Sequence, residues 1–122
     1  MTILVADDEP YIARSLSFVL KKEGFSVEIA SDGEEALRKA KEFRPEVMFL
    51  DVMMPRMDGF HVCRSLKSDA ELRKINVIML TAKGQEADRE RAMKEGADGY
   101  ITKPFSPMEI ISKVKELLEK QK

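Results

Sequence analysis

Apolar, strand-like runs alternate five times with helical patterns along this chain, and four of the runs hand over at once to a residue that carries chemistry. Such alternation leaves few folds, because parallel strands need long crossovers, helices provide them, and the sheet that results is covered on both faces. Ile3-Leu4-Val5-Ala6, Val47-Met48-Phe49-Leu50 and Val77-Ile78-Met79-Leu80 are apolar without alternation, as strands buried on both sides should be. Val27-Glu28-Ile29 alternates like an edge strand. The pattern predicts an α/β fold: one domain over residues 1–122, a (βα)5 doubly wound sheet of five parallel strands.

The helical segments carry their own start and stop signals. The first, about Pro10 to Glu23, sets Ile12, Leu16, Val19 and Leu20 on one face and stops at Gly24. The second opens on Ser31-Asp32-Gly33-Glu34, a capping box, buries Ala36, Leu37 and Ala40, and ends before Pro45. The third, about Phe60 to Ser68, follows the turn Pro55-Arg56-Met57-Asp58-Gly59 and offers Val62, Cys63 and Leu66 to the core. The fourth, about Gln85 to Glu95, has only the thin stripe Ala87, Ala92 and Met93, so it is expected to pack loosely. The last joins a capping box, Ser106 to Glu109, with Pro107 at the first helical position, and buries Ile110, Ile111, Val114, Leu117 and Leu118.

Composition removes several function classes. Lys and Arg total 21 against 22 acids, so the net charge of -1 gives no global electrostatic case for direct contact with nucleic acid or with an anionic membrane. No apolar stretch approaches the roughly 20 residues of a membrane helix, and acids interrupt the first run at once, which argues against a signal peptide and for a cytoplasmic protein. The one cysteine, Cys63, reads as a packing residue and has no partner for a disulfide. His61, alone on the third helix, reads as a solvated residue, and the methionines as core filler, except that Met53 and Met54 beside Asp51 could shape docking.

In an open parallel sheet, residues just past the carboxyl ends of the strands converge on one crevice. Here Asp7 and Asp8 follow the first run, Asp51 the third, Thr81 the fourth and Lys103 the fifth. Taken singly, such residues serve as turn formers or helix caps, and the acids at 7–9 also suit a helix N-terminus. Together they have a chemical meaning. Three carboxylates at one rim repel one another unless one binds a proton or a hard cation sits among them, and oxygen-only ligands favour Mg²⁺. With negative charge screened, Asp51 is the candidate nucleophile toward phosphorus, while Lys103 and Thr81 can meet phosphoryl oxygens as ammonium and hydroxyl.

These residues carry a resemblance. Asp7-Asp8, the segment Phe49-Leu50-Asp51-Val52-Met53-Met54-Pro55 with Asp58-Gly59, Leu80-Thr81-Ala82 and Lys103-Pro104-Phe105 make the chain similar to the receiver domains of bacterial two-component response regulators over nearly its whole length. The resemblance implies the flavodoxin-like strand order 2-1-3-4-5, for which a chemotaxis regulator is a stock example. It implies that Asp51 accepts a phosphoryl group from a sensor histidine kinase, a phosphotransfer protein or a small donor such as acetyl phosphate. The metal, Mg²⁺ or Mn²⁺ in its place, would be held by Asp8, Asp51 and the backbone carbonyl of Met53, with Asp7 acting through water. Thr81 and Tyr100 correspond to the switch residues, Met53 and Lys83 to positions that tune hydrolysis, and Lys103-Pro104 to a cis peptide bond. The surface of the fourth helix, fifth strand and fifth helix would then change to control a downstream partner.

Receivers of winged-helix transcription factors are closest in pattern, and they dimerise across that surface through paired charges. Arg89, Glu109, Asp98 and Lys115 fit those pairs, whereas Gly99 stands where an acid is usual and Lys113 where an arginine is. Two other functions compete. A Mg²⁺-dependent aspartyl phosphohydrolase would need a second acid two residues after its nucleophile, and that residue is Met53. A flavin carrier of flavodoxin type would need a phosphate-cradling loop after the first strand, where Asp7-Asp8-Glu9 would repel the phosphate.

Overall fold

The computed structural model describes residues 1–82 and 85–119. In chain order the elements are β1 (Thr2–Ala6), α1 (Pro10–Lys22), β2 (Ser26–Ala30), α2 (Gly33–Phe43), β3 (Val47–Asp51), α3 (Gly59–Ser68), β4 (Asn76–Ala82), α4 (Glu86–Lys94), β5 (Gly99–Lys103) and α5 (Pro107–Glu119). All four strand pairings are parallel and the sheet order is β2-β1-β3-β4-β5. The chain thus reverses direction across the sheet between β1 and β3, the kind of point where such sheets open a crevice.

Period-2 side-chain alternation divides the core between the two faces. Leu4, Met48, Leu50, Val77 and Met79 meet Ala36, Ala40, Val62, Cys63, Leu66 and Ala92 of α2, α3 and α4. Ile3, Val5, Val47, Phe49, Ile78 and Leu80 meet Leu16, Leu20, Ile110, Val114 and Leu117 of α1 and α5. β3 is buried at every position, so Asp51 emerges at the end of a strand that cannot shift without disturbing both cores.

Local signals explain most boundaries. Gly24, at φ 95°, ends α1 in a left-handed cap: its N–H donates to Lys21 O and that of Phe25 to Leu20 O. Ser106 caps α5 by accepting from the Glu109 N–H at 3.2 Å. The start of α2 differs by one residue from the expected capping box. Asp32, not Ser31, is the N-cap and accepts from the Glu35 N–H at 2.8 Å, while the Glu35 carboxylate reaches back to the Ser31 N–H at 2.7 Å. Asp and Ser are equally good caps, and spacing alone did not separate them.

α4 departs further from expectation. Of its expected stripe only Ala92 is buried; Ala87 and Met93 are exposed. Its attachment relies instead on arginines, with Arg91 stacked 4.3 Å from the centre of the Phe60 ring, Arg89 4.4 Å from that of Tyr100, and Arg64 of α3 gripping Glu95 through two bonds of 2.5 and 2.9 Å. Cys63 lies fully buried, and burial pushes its thiol up to about 11, so it packs rather than reacts. Phe49 is among the largest fully buried side chains. Phe49→Ala should lower the unfolding free energy by about 3–5 kcal/mol in urea titrations, with Asp51 chemistry disturbed as a consequence.

Candidate functional site

β1, β3 and β5 end at the same edge of the sheet, with β4 between the last two, and side chains at or just beyond their carboxyl ends meet. The Lys103 ammonium lies 3.0 Å from Asp7 Oδ2, 3.4 Å from Glu9 Oε1 and 3.5 Å from Asp51 Oδ1. Asp7, Asp8 and Asp51 each present a carboxylate oxygen within 4.8 Å of the others. Asp7 is 1% and Asp51 6% exposed, whereas Asp8 stands open to solvent. A cleft of about 280 Å³ gives access, with Asp8, Glu9, Asp51, Met53, Asp88 and Lys103 in its wall.

The loop after β3 is shaped by two close backbone approaches. Gly59 packs against the Asp51 carbonyl so tightly that a Cβ there would overlap it, and Gly33 at the start of α2 does the same to Met57. The Gly59 N–H closes the loop on Val52 O at 2.9 Å, and the Met53 N–H reaches Asp51 Oδ1 at 3.4 Å. The Met53 side chain itself is 75% exposed at the rim. After β5, the Lys103-Pro104 peptide is cis, as the resemblance implied.

Crowding sets the electrostatics. Burial first, and the neighbouring Asp7 charge second, lift the Asp51 carboxyl from an ordinary 3.8 to about 7 against the pull of Lys103 and the Met53 N–H. Burial alone would depress Lys103, but Asp7, Asp51 and Glu9 outweigh it and hold the ammonium above its usual range. One lysine does not satisfy the group. Asp7 Oδ1 accepts from the Glu9 N–H at 2.9 Å, yet the buried Oδ2 accepts no properly directed hydrogen bond even with the ammonium nearby. A buried oxygen without a directed donor, inside an all-oxygen set of three carboxylates, fits a hard divalent cation.

The sequence-derived residues fall as follows. Asp7, Asp8, Asp51 and Lys103 are brought together. Thr81 is placed next to Leu80, the β4 partner of Asp51, and is 2% exposed; it lies within β4 rather than just beyond it, since the strand continues to Ala82. Tyr100 is half-buried on the edge strand β5. Lys83 lies outside the described residues. Of the charges matched to a dimer, Asp98 is engaged within the chain, its Oδ2 taking Lys67 Nζ at 2.7 Å and the Val77 N–H at 2.8 Å. Two cleft residues had no site signal in the sequence. Glu9 read as a helix-terminal acid, and Asp88 stood beside Arg89 in the stretch similar to winged-helix receivers without a role at the site.

The sequence pattern of the response regulator receiver domain matches residues 3–115. This chain belongs to that family. The receiver is 45% identical over 118 residues to the alkaline phosphatase synthesis transcriptional regulatory protein PhoP of Bacillus subtilis, covering 97% of this chain and 48% of that protein. It spans about half the length of the curated relatives it matches. Among solved structures it superposes on the signal receiver domain of a signal transduction histidine kinase from Syntrophus aciditrophicus with a TM-score of 0.90 at 40% identity, covering 97% of this chain and 89% of the other. Chemotaxis response regulator CheY4 of Vibrio cholerae gives 0.89 at 31% identity, covering 95% and 97%. The receiver is a signalling module of two-component response regulators, with an acidic pocket able to hold a metal, and none of its described helices is long and apolar enough to cross a membrane.

The raised Asp51 value has a consequence for stability. Between pH 3.8 and about 7 the folded, metal-free receiver keeps a proton on Asp51 that the unfolded chain releases, so stability is lost as pH rises through that window. Asp51→Asn lacks this loss. In thermal melts without metal, the stability advantage of Asp51→Asn should widen from pH 5 to pH 8, and added Mg²⁺ should narrow it at pH 8; a gap independent of pH would contradict the assignment.

Proposed function

We propose that Asp51 is the phosphoacceptor of this receiver and that residues 1–122 act as one phosphorylation-controlled switch. The observation that carries the reading is the Lys103 ammonium set between Asp7 and Asp51 inside a cluster of three carboxylates. An oxygen of Asp51 attacks the phosphorus of a phosphohistidine on a sensor kinase or phosphotransfer protein. As the O–P bond forms the P–N bond breaks, and the imidazole leaves with that electron pair and takes a proton from solvent.

Mg²⁺, or Mn²⁺ in its place, would be held by Asp8, Asp51 and the Met53 carbonyl, with Asp7 through water, and when bound it supplies positive charge against the phosphoryl oxygens. Lys103 meets one phosphoryl oxygen as a point charge already held in place by Asp7 and Glu9, so little reorganisation is needed when charge develops. Thr81 supplies a hydroxyl to another, and Tyr100 follows it as the second switch residue. Turnover on a foreign substrate is no part of the reading, because Met53 cannot donate a proton as a general acid would. Phosphorylation-dependent pairing through the α4-β5-α5 face belongs to the proposal with one change: Asp98 serves Lys67 instead of a second copy. DNA binding is named for relatives such as MtrA, of which this chain covers about half; the present segment, at net charge -1, acts on a downstream partner rather than on nucleic acid.

Incubation with acetyl phosphate and Mg²⁺ should add one phosphoryl group by intact mass, absent in Asp51→Asn and lost when the metal is chelated. An adduct surviving in Asp51→Asn would overturn the assignment. Neither Met53 nor Lys83 can accept a proton from an attacking water, so the phosphorylated form should be longer-lived than seconds at room temperature. Decay within seconds, followed by mass or by radiolabel, would contradict that.

A further inference from the structure

The loop that follows Asp51 turns one large apolar side chain outward. Val52 and Met54 on either side pack into the core and fix the loop, while Met53 is 75% exposed and forms part of the wall of the cleft around Asp51. The Met53 N–H lies 3.4 Å from Asp51 Oδ1, which holds the residue beside the reacting carboxylate. Met1, Met93 and Met108 are exposed as well, and Met48 and Met79 are fully buried, but among the described residues lining this cleft Met53 is the one methionine. A thioether turned to solvent fills no gap in the core, and as a hydrogen-bond acceptor it is weak. It is, however, open to two-electron oxidants.

We propose that Met53 is a redox-modification site: conversion to the sulfoxide by a peroxide places a strong, neutral acceptor at the cleft and shortens the life of phosphorylated Asp51. The inference rests on Asp51 being the phosphoacceptor. In the oxidation a sulfur lone pair attacks one oxygen of hydrogen peroxide, and the S–O bond forms as the O–O bond breaks. Sulfur is oxidised by two electrons and the peroxide is reduced to water. The sulfoxide oxygen then accepts a hydrogen bond from a water facing the phosphorus, which orients it for attack. As that water adds, the bond from Asp51 to phosphorus breaks, the carboxylate leaves with the electron pair, and the released proton passes to solvent. The new group carries no charge, so it adds no repulsion to a cleft wall that already holds Asp8, Glu9 and Asp88. The Met53 carbonyl, which would face the cation, is chemically unchanged. Cys63 does not compete for the oxidant, being fully buried and held as the thiol.

The test treats the whole chain with hydrogen peroxide, removes the excess with catalase, and locates the added oxygen by peptide mass spectrometry. Acetyl phosphate and Mg²⁺ then load the protein, the donor is removed, and intact mass follows loss of the adduct. The oxidised receiver should decay about two- to tenfold faster than the untreated one, the worth of one net hydrogen bond. Methionine sulfoxide reductases A and B together, one for each epimer, should restore the slow rate. Met53→Leu should decay at one rate with or without peroxide, even though Met1, Met93 and Met108 still take up oxygen. Met53→Gln, whose amide oxygen is an acceptor from the start, should decay faster than untreated wild type and ignore peroxide. Equal rates in wild type with Met53 shown to be oxidised, an acceleration that persists in Met53→Leu, a Met53→Gln no faster than untreated wild type, or a Met53 that peroxide leaves unmodified would overturn the proposal. If the untreated protein takes no phosphoryl group, or Asp51→Asn still does, the phosphoacceptor reading itself fails.

Discussion

Everything at the functional end of this receiver depends on one ammonium group placed among carboxylates. Lys103 reaches Asp7, Glu9 and Asp51, which arrive from the ends of β1 and β3 while the lysine arrives from β5. Without that charge the acids could not lie so close while buried, since desolvation and mutual repulsion both raise the cost of ionisation. With it the group remains short of positive charge, as the raised Asp51 value shows, and the buried Asp7 Oδ2 has only the shared, poorly directed ammonium beside it. The resting site is therefore under electrostatic tension that a divalent cation would relieve.

The sheet keeps this tension local. β3 and β4 are buried along nearly their whole length, and the registers around Asp51, Leu80 and Thr81 are set by side chains on both faces. Two glycines complete the frame from outside it, Gly59 behind the Asp51 carbonyl and Gly33 against Met57, each position being open only to a residue without a side chain. Charge changes at Asp51 thus meet a rigid support on the sheet side.

The opposite holds at α4. Its polar faces leave one buried residue, and stacked or paired arginines replace the apolar contacts that fasten the other helices. Such contacts are weaker and more sensitive to salt than buried methyl groups. The fourth helix is thus fastened mainly by polar and stacking contacts, whereas the central strands are held by buried apolar side chains.

Much of this was legible before any coordinates. The five-fold alternation determined the fold class, the unbroken apolar runs identified the central strands, and the positions of Asp7, Asp8, Asp51 and Lys103 after those runs pointed to residues that the structure brings together, because strand direction in a parallel sheet dictates where strand ends lie. Sequence could not choose between Ser31 and Asp32 as the cap, since both are good acceptors one residue apart. Nor could it find Glu9 beside Lys103 or Asp88 in the cleft, as each looks like an ordinary acid near a helix start. The Lys67–Asp98 pair and the arginine stacks on Phe60 and Tyr100 were likewise hidden. They join residues distant in sequence, and periodicity along a chain carries no information about which polar side chains will meet once the layers have packed.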